Sequence, residues 1–67
     1  MRHKEIKATS SLEERINLEI LVQRFKSLFN VGLKFGISES SLYKYRNGYK
    51  QGLKIKKKID SKIQELL

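Results

Sequence analysis

Residues 28–48 read Leu-Phe-Asn-Val-Gly-Leu-Lys-Phe-Gly-Ile-Ser-Glu-Ser-Ser-Leu-Tyr-Lys-Tyr-Arg-Asn-Gly, and the glycines decide what this stretch can become. Gly36 follows Phe35 at a point where a helix would end on a residue of positive φ, a conformation that glycine adopts at little cost. Ile37 is a buried type of residue. Ser38 offers an oxygen to cap the amides of a following helix, and Glu39 stands in that helix's first turn, where a carboxylate suits the positive end of the dipole. The pattern predicts a helix ending at Phe35, a turn Gly36-Ile37-Ser38, and a short helix over about 38–47 that stops at Asn47-Gly48. Val31, Phe35, Ile37, Leu42 and Tyr45 take inward positions. Gly32 falls where the two helices cross and only a small side chain permits close approach.

Towards the amino terminus, Ser11 with Glu14 three residues later forms a capping box, and Glu13 and Glu14 occupy a first turn. Apolar residues then recur at three- and four-residue intervals, Leu12, Ile16 and Ile20 in one series and Leu18, Leu21, Val22 and Phe25 in another, which is helical spacing. No strong breaker follows, and a boundary is placed near Lys26 and Ser27, with Ser27 capping the next helix. Residues 1–9 lack periodicity and read as a flexible basic arm carrying Arg2, Lys4 and Lys7. Towards the carboxy terminus, a helix from about Leu53 carries Ile55, Ile59, Ile63 and Leu66 as one stripe, with Lys54, Lys57, Lys58 and Glu65 on the wet side. Nothing alternates with the period of a strand over more than a few residues. The expectation is an all-α fold, a small four- or five-helix domain over residues 10–67 preceded by the arm.

Composition narrows the chemistry. The chain has 67 residues, no cysteine and one histidine, His3, so thiolate metal sites, disulfides and an imidazole cluster are excluded. A chain of this length buries only about 60% of the surface its unfolded form exposes, which leaves little core in which to enclose a substrate. No nucleophile–base pair or phosphate-cradling glycine loop is evident, so neither an enzyme nor a cofactor site is expected. No apolar run approaches the roughly 20 residues that span a bilayer, and no signal core follows the charged start, so a cytoplasmic location is the expectation. The net charge is +8, with 15 basic against 7 acidic side chains. The excess lies outside residues 11–30, which are neutral in sum. A positive field distributed this way points to a polyanionic partner.

The Gly-Ile-Ser turn, Leu42 followed by Tyr45, and the terminal Asn47-Gly48 resemble the helix-turn-helix of DNA-binding proteins, most closely the lambda-repressor-like repressor and Cro type of phages and plasmids. The chain departs from that type in having Leu28 where glutamine is usual and Gly32 where alanine is usual. The resemblance implies sequence-specific binding of double-stranded DNA by a small transcriptional regulator acting as a homodimer, with residues 38–47 as the recognition helix in the major groove. With Leu42 and Tyr45 inward, helical spacing turns Glu39, Ser40, Tyr43, Lys44 and Asn47 outward as candidates for base contacts. Lys44 would donate to guanine, Glu39 accept from cytosine, Asn47 pair with adenine or bond a phosphate, and Tyr43 pack on a thymine methyl. Backbone amides near Ser27 and Leu28, with Arg46, Lys50 and Gln51, are the candidates for phosphate contacts. The arm would follow the backbone or enter a minor groove.

Lys54, Lys56, Lys57 and Lys58 read as a solvated face or as a nonspecific phosphate patch. Ile59, Ile63, Leu66 and Leu67 form a candidate dimer surface, the competing reading being that this stripe packs back on Leu12, Ile16 and Ile20. Two other readings compete with DNA binding. One is a helical protein-interaction module, antitoxin-like or a conjugation or plasmid accessory protein, that binds DNA weakly or never. The other is a basic amphipathic helix over residues 53–67 lying on an anionic membrane.

Overall fold

The computed structural model describes residues 6–67. Four helices, α1 (Leu12–Phe25), α2 (Leu28–Phe35), α3 (Glu39–Asn47) and α4 (Leu53–Leu66), account for most of them. Two short strands, β1 (Lys7–Ala8) and β2 (Gln51–Gly52), complete the order.

The boundaries of α1, α2 and α3 have local chemical causes. The Ser11 hydroxyl accepts the Glu14 amide at 3.2 Å while the Glu14 carboxylate accepts the Ser11 amide at 2.8 Å, so the expected capping box starts α1. α1 stops at Lys26, which takes a left-handed φ of 83°. The break is then held from its far side: Ser27 accepts the Asn30 amide at 3.1 Å, and the Asn30 side chain donates to the Phe25 carbonyl at 2.8 Å. At the end of α2 the amides of Gly36 and Ile37 both donate to the Gly32 carbonyl, at 2.8 and 3.1 Å. Gly36 has a φ of 71° and Gly48, closing α3, one of 74°. Between them Ser38 caps α3 by accepting the Ser41 amide at 3.4 Å.

A Cβ added at Gly36 would meet nothing within 4 Å. The cost of a side chain there is therefore conformational and not steric. Gly36→Val is expected to lower stability by about 1–2 kcal/mol, the usual penalty of a left-handed residue, with a β-branched side chain at the upper end. Thermal unfolding reads this directly, and an unchanged Tm would contradict the turn's assignment.

One hydrophobic cluster joins all four helices. Leu18 and Leu21 come from α1, Leu28, Val31 and Phe35 from α2, Ile37 from the turn, Leu42 and Tyr45 from α3, and Ile59 and Ile63 from α4. The inward set expected for the segment around the turn is buried throughout. At 3.6 residues per turn, the side of α1 that carries Leu18, Leu21 and Phe25 is opposite the side that carries Leu12, Ile16 and Ile20. The second side stays in solvent, with Leu12 67%, Ile16 50% and Ile20 45% exposed.

The structure corrects several expectations. Ile59 and Ile63 are 0% and 2% exposed, so they fill the monomer core and leave no dimer surface at those positions. Their stripe packs on the Leu18 and Leu21 side of α1, not on Leu12, Ile16 and Ile20, because the core closes over the side of α1 that α2 and α3 also share. The same burial removes from α4 the apolar face that a membrane-surface helix would need.

Lys7 and Ala8 are not arm residues. They pair antiparallel with Gly52 and Gln51, and the Leu53 amide donates to the Ile6 carbonyl at 2.8 Å, which anchors the segment beside the start of α4. A minimal two-stranded sheet thus qualifies the all-α expectation. Arg2 and Lys4 of the expected arm lie outside the described residues. Among the described residues, no helix is long and apolar enough to cross a membrane, and no cluster of ligating side chains is arranged for a metal ion.

Candidate nucleic-acid interface

α3 is divided sharply between its two sides. Leu42 and Tyr45 are completely buried, while Glu39, Ser40, Tyr43, Lys44 and Asn47 are all exposed. The five side chains read from the sequence as base contacts therefore share one open face. Tyr43 has a partner that sequence reasoning missed. The chain leaves α3 at Gly48 with the Tyr49 amide donating to the Lys44 carbonyl at 2.9 Å, and this brings the Tyr49 ring to 6.2 Å from that of Tyr43, tilted by 56°. The spacing and tilt suit an edge-to-face aromatic pair. Both rings are about half exposed, at 52% and 55%. Lys50 is exposed just beyond them.

Other side chains on and around α3 are partly engaged. The Asn47 amide donates to the Tyr43 carbonyl one turn back, at 2.8 Å, which leaves its oxygen to accept. At the amino end the Ser38 hydroxyl lies 3.3 Å from that of Ser40 and 3.1 Å from that of Ser41. At the start of α2 the Ser27 side chain is committed to its cap and Leu28 is buried. A phosphate there would meet the first backbone amides and not these side chains.

Two of the expected phosphate contacts are placed differently from the reading. Gln51 is buried, 5% exposed, because its pairing with Ala8 draws it under the sheet, and its amide donates to the Ser41 carbonyl at 3.2 Å. Arg46 is exposed but bidentate on the Glu19 carboxylate of α1, one of its two bonds being 3.2 Å. That carboxylate offsets much of its charge. A phosphate would have to displace Glu19.

Lys56 also leaves the solvated cluster assigned to it, whereas Lys54, Lys57 and Lys58 are exposed as expected. Its ammonium donates to Glu14 of α1 at 2.9 Å and to Asp60, one turn along α4, at 3.0 Å. Asp60 in turn accepts the Tyr45 hydroxyl, and the Tyr45 carbonyl accepts the Ser10 hydroxyl at 2.6 Å. This polar network ties α1, α3 and α4 together directly behind the exposed face of α3, so the helix is positioned by hydrogen bonds as well as by packing.

The network sets how stability responds to pH. Partial burial of Glu14 opposes its ionisation, but the Ser11 amide, the Lys56 ammonium and the Ser11 hydroxyl outweigh that and hold the carboxyl below its ordinary value of 4.5. Lys56 is pulled down by partial burial, yet its bonds to Glu14 and Asp60 and their charges raise it above 10.5. Burial, followed by the bond to Asp60 and the charges of Asp60 and Glu14, pushes the Tyr45 phenol far above its usual value of 10.0.

The stability that Glu14 provides is present above its unfolded value and lost as pH falls through the lower folded value. That from Lys56 and Tyr45 is present below their unfolded values and lost as pH rises through the higher folded ones. A plateau between about pH 5 and pH 10 is expected, declining on both sides. Denaturation midpoints measured across pH should show it, and Glu14→Gln should flatten part of the acid limb. An acid limb that Glu14→Gln leaves unaltered would show that the carboxylate is not part of the network.

Compared with known proteins, the chain matches no family model, no curated protein and no solved structure.

Proposed function

We propose that this chain binds double-stranded DNA in a sequence-specific manner as a small transcriptional regulator, with α3 entering the major groove as the recognition helix of a helix-turn-helix. The observation that carries the reading is the division of α3. Leu42 and Tyr45 root one side in the core, while Tyr43, Lys44 and Asn47 stand on an open side. A major groove about 12 Å wide admits a helix presented in this way. Lys44 donates to guanine O6 or N7, the Asn47 oxygen accepts from the adenine amino group, and the Tyr43–Tyr49 pair offers apolar surface to thymine methyls. Lys50 and the first amides of α2 hold phosphates and set the register without reading sequence. The net charge of +8 supplies the long-range attraction.

Titration of duplex DNA across a salt series tests the proposal. Each neutralised phosphate contributes a slope of about −0.9 in log K against log salt, so binding should weaken steeply as salt rises. Tyr43→Ala and Asn47→Ala should each reduce specific affinity by about 1–3 kcal/mol with the circular dichroism spectrum unchanged. Both side chains are exposed, so neither change should disturb the core. Affinity that is undetectable even at low salt would instead favour a protein-interaction module, a reading supported by the exposed apolar side of α1.

A further inference from the structure

Tyr43 and Tyr49 each leave about half of their surface in water, 52% and 55%, although their rings pair at a centroid distance of 6.2 Å. Both are held in place from behind. Tyr43 follows the fully buried Leu42 on α3, and the Tyr49 amide donates to the Lys44 carbonyl at 2.9 Å. A tyrosine side chain has only two χ angles to order, so a ring presented in this way makes contacts at low entropic cost.

The charge that follows the rings has one sign. Residues 40–59 hold seven basic side chains and no acidic one. Arg46 and Lys56 are engaged by the carboxylates of Glu19, Glu14 and Asp60. Lys44, Lys50, Lys54, Lys57 and Lys58 are exposed and, among the described residues, have no carboxylate partner. Gly52 lies three residues beyond Tyr49, a span of at most about 11 Å. There Gly52, Lys54, Ile55 and Lys58 line an open depression of about 420 Å³. The one acidic residue of α3, Glu39, stands in its first turn, at the end away from Tyr49.

Rings and lysines in this order suit a single strand in a way that a duplex cannot match. Inside a duplex each base face is covered by its neighbours, and a protein reaches base edges and phosphates. An exposed tyrosine ring gains most from an uncovered base face, and every base has one. The 56° between the two rings prevents one continuous stack from covering both. Bases lying on them must be splayed, which a flexible strand allows and paired bases do not.

We propose that the surface running from Tyr43 and Tyr49 to Lys54 and Lys58 binds single-stranded nucleic acid, with bases stacked on the two rings and phosphates held by the lysines. Stacking of this kind tolerates any sequence. The proposal does not depend on duplex binding by α3. Because both uses engage Tyr43 and Lys44, duplex and single strand compete for the chain.

Titration of the full chain with an oligothymidylate of about 12 nucleotides, a length within the usual range of such sites, tests the proposal. The chain has three tyrosines and no tryptophan, and two of the three are the stacking rings, so tyrosine emission reports on them. Emission should fall as bases stack. Tyr43→Ala and Tyr49→Ala should each weaken binding at least about fivefold, while Tyr49→Phe, which keeps the ring, should bind as the wild type does. An abasic strand of the same length should also bind at least about fivefold more weakly. Lys54→Gln and Lys58→Gln should each reduce the slope of log K against log salt by about 0.7. All four positions are exposed, so helical content should be retained. With an oligouridylate as a second probe, binding of either strand supports the proposal and the tighter of the two names its source.

No binding of either strand at low salt would overturn the proposal. So would equal affinity for the abasic strand, or alanine variants of the tyrosines that bind as well as the wild type, since the lysines would then act alone. Unaltered salt slopes would overturn the path over Lys54 and Lys58. A duplex titrated alongside keeps the two readings apart. A chain that binds the duplex and no single strand overturns this proposal alone, and one that binds only single strands overturns the recognition-helix reading alone.

Discussion

A chain carrying Tyr45→Ala is expected to be largely unfolded at room temperature. Tyr45 is completely buried and heads the largest fully buried side chains of the core. Truncating a large buried aromatic costs about 3–5 kcal/mol in lost burial and residual cavity. A single core in a domain of this size rarely supplies more than about 3–5 kcal/mol in total. The loss is comparable to the whole.

Tyr45→Phe separates packing from hydrogen bonding. It keeps the ring and removes only the donor to Asp60, whose carboxylate still receives Lys56 at 3.0 Å. The expected cost is about 1 kcal/mol, that of one hydrogen bond. Chemical denaturation followed by circular dichroism distinguishes the two variants. A wild-type midpoint for Tyr45→Ala would contradict the placement of α3's inner side.

Gly32→Ala is expected to destabilise the domain even though it replaces a glycine inside a helix. On propensity alone the change should gain up to about 1 kcal/mol. The geometry opposes it, because an added Cβ would lie 2.8 Å from the Ile37 carbonyl oxygen and 3.5 Å from a Leu42 methyl. The nearer atom belongs to the backbone of the turn and cannot move away as the tip of a side chain can. Overpacking of this kind costs about 1–3 kcal/mol, so a net loss of up to about 2 kcal/mol is expected. Gly32→Val should cost more. A rise in midpoint for Gly32→Ala would mean that the turn relaxes at low cost. Gly32 and Gly36 are thus required for different reasons, the first for space and the second for its positive φ.

The helix boundaries were legible because their signals are local. Ser11 with Glu14, Gly36 with Ser38, and Asn47-Gly48 each act through bonds within a few residues, so reading the sequence was equivalent to reading the contacts. The break at Lys26 was harder, since a lysine at a φ of 83° carries no compositional mark, and the clue lay in Ser27 and Asn30 on its far side.

Long-range choices were less legible. α1 has two apolar series on opposite sides, and helical spacing cannot say which of them α2, α3 and α4 will cover. Packing of the α4 stripe on Leu12, Ile16 and Ile20 is thus one of two readings that the sequence permits, and these three residues are exposed. The same ambiguity left Ile59 and Ile63 as candidates for a dimer surface.

Within the candidate site, the open face of α3 followed from the inward positions of Leu42 and Tyr45. Gln51 is buried and is not a phosphate contact; a polar residue soon after Gly48 reads as exposed until its strand partner is known. The network of Lys56, Glu14, Asp60 and Tyr45 joins residues up to 42 positions apart, beyond the reach of any local pattern. Tyr49 comes beside Tyr43 only through the backbone turn at Gly48.

The claim on which the functional account depends is that the open side of α3 reads base edges from the major groove. Methylation interference on a duplex selected for binding tests it most directly, since methyl groups on guanine N7 project into the major groove and those on adenine N3 into the minor groove. The account predicts that methylation of particular guanines at N7 abolishes binding, and that Lys44→Ala relaxes the requirement at one of those guanines. Interference confined to minor-groove positions, or binding indifferent to methylation at every base, would contradict it.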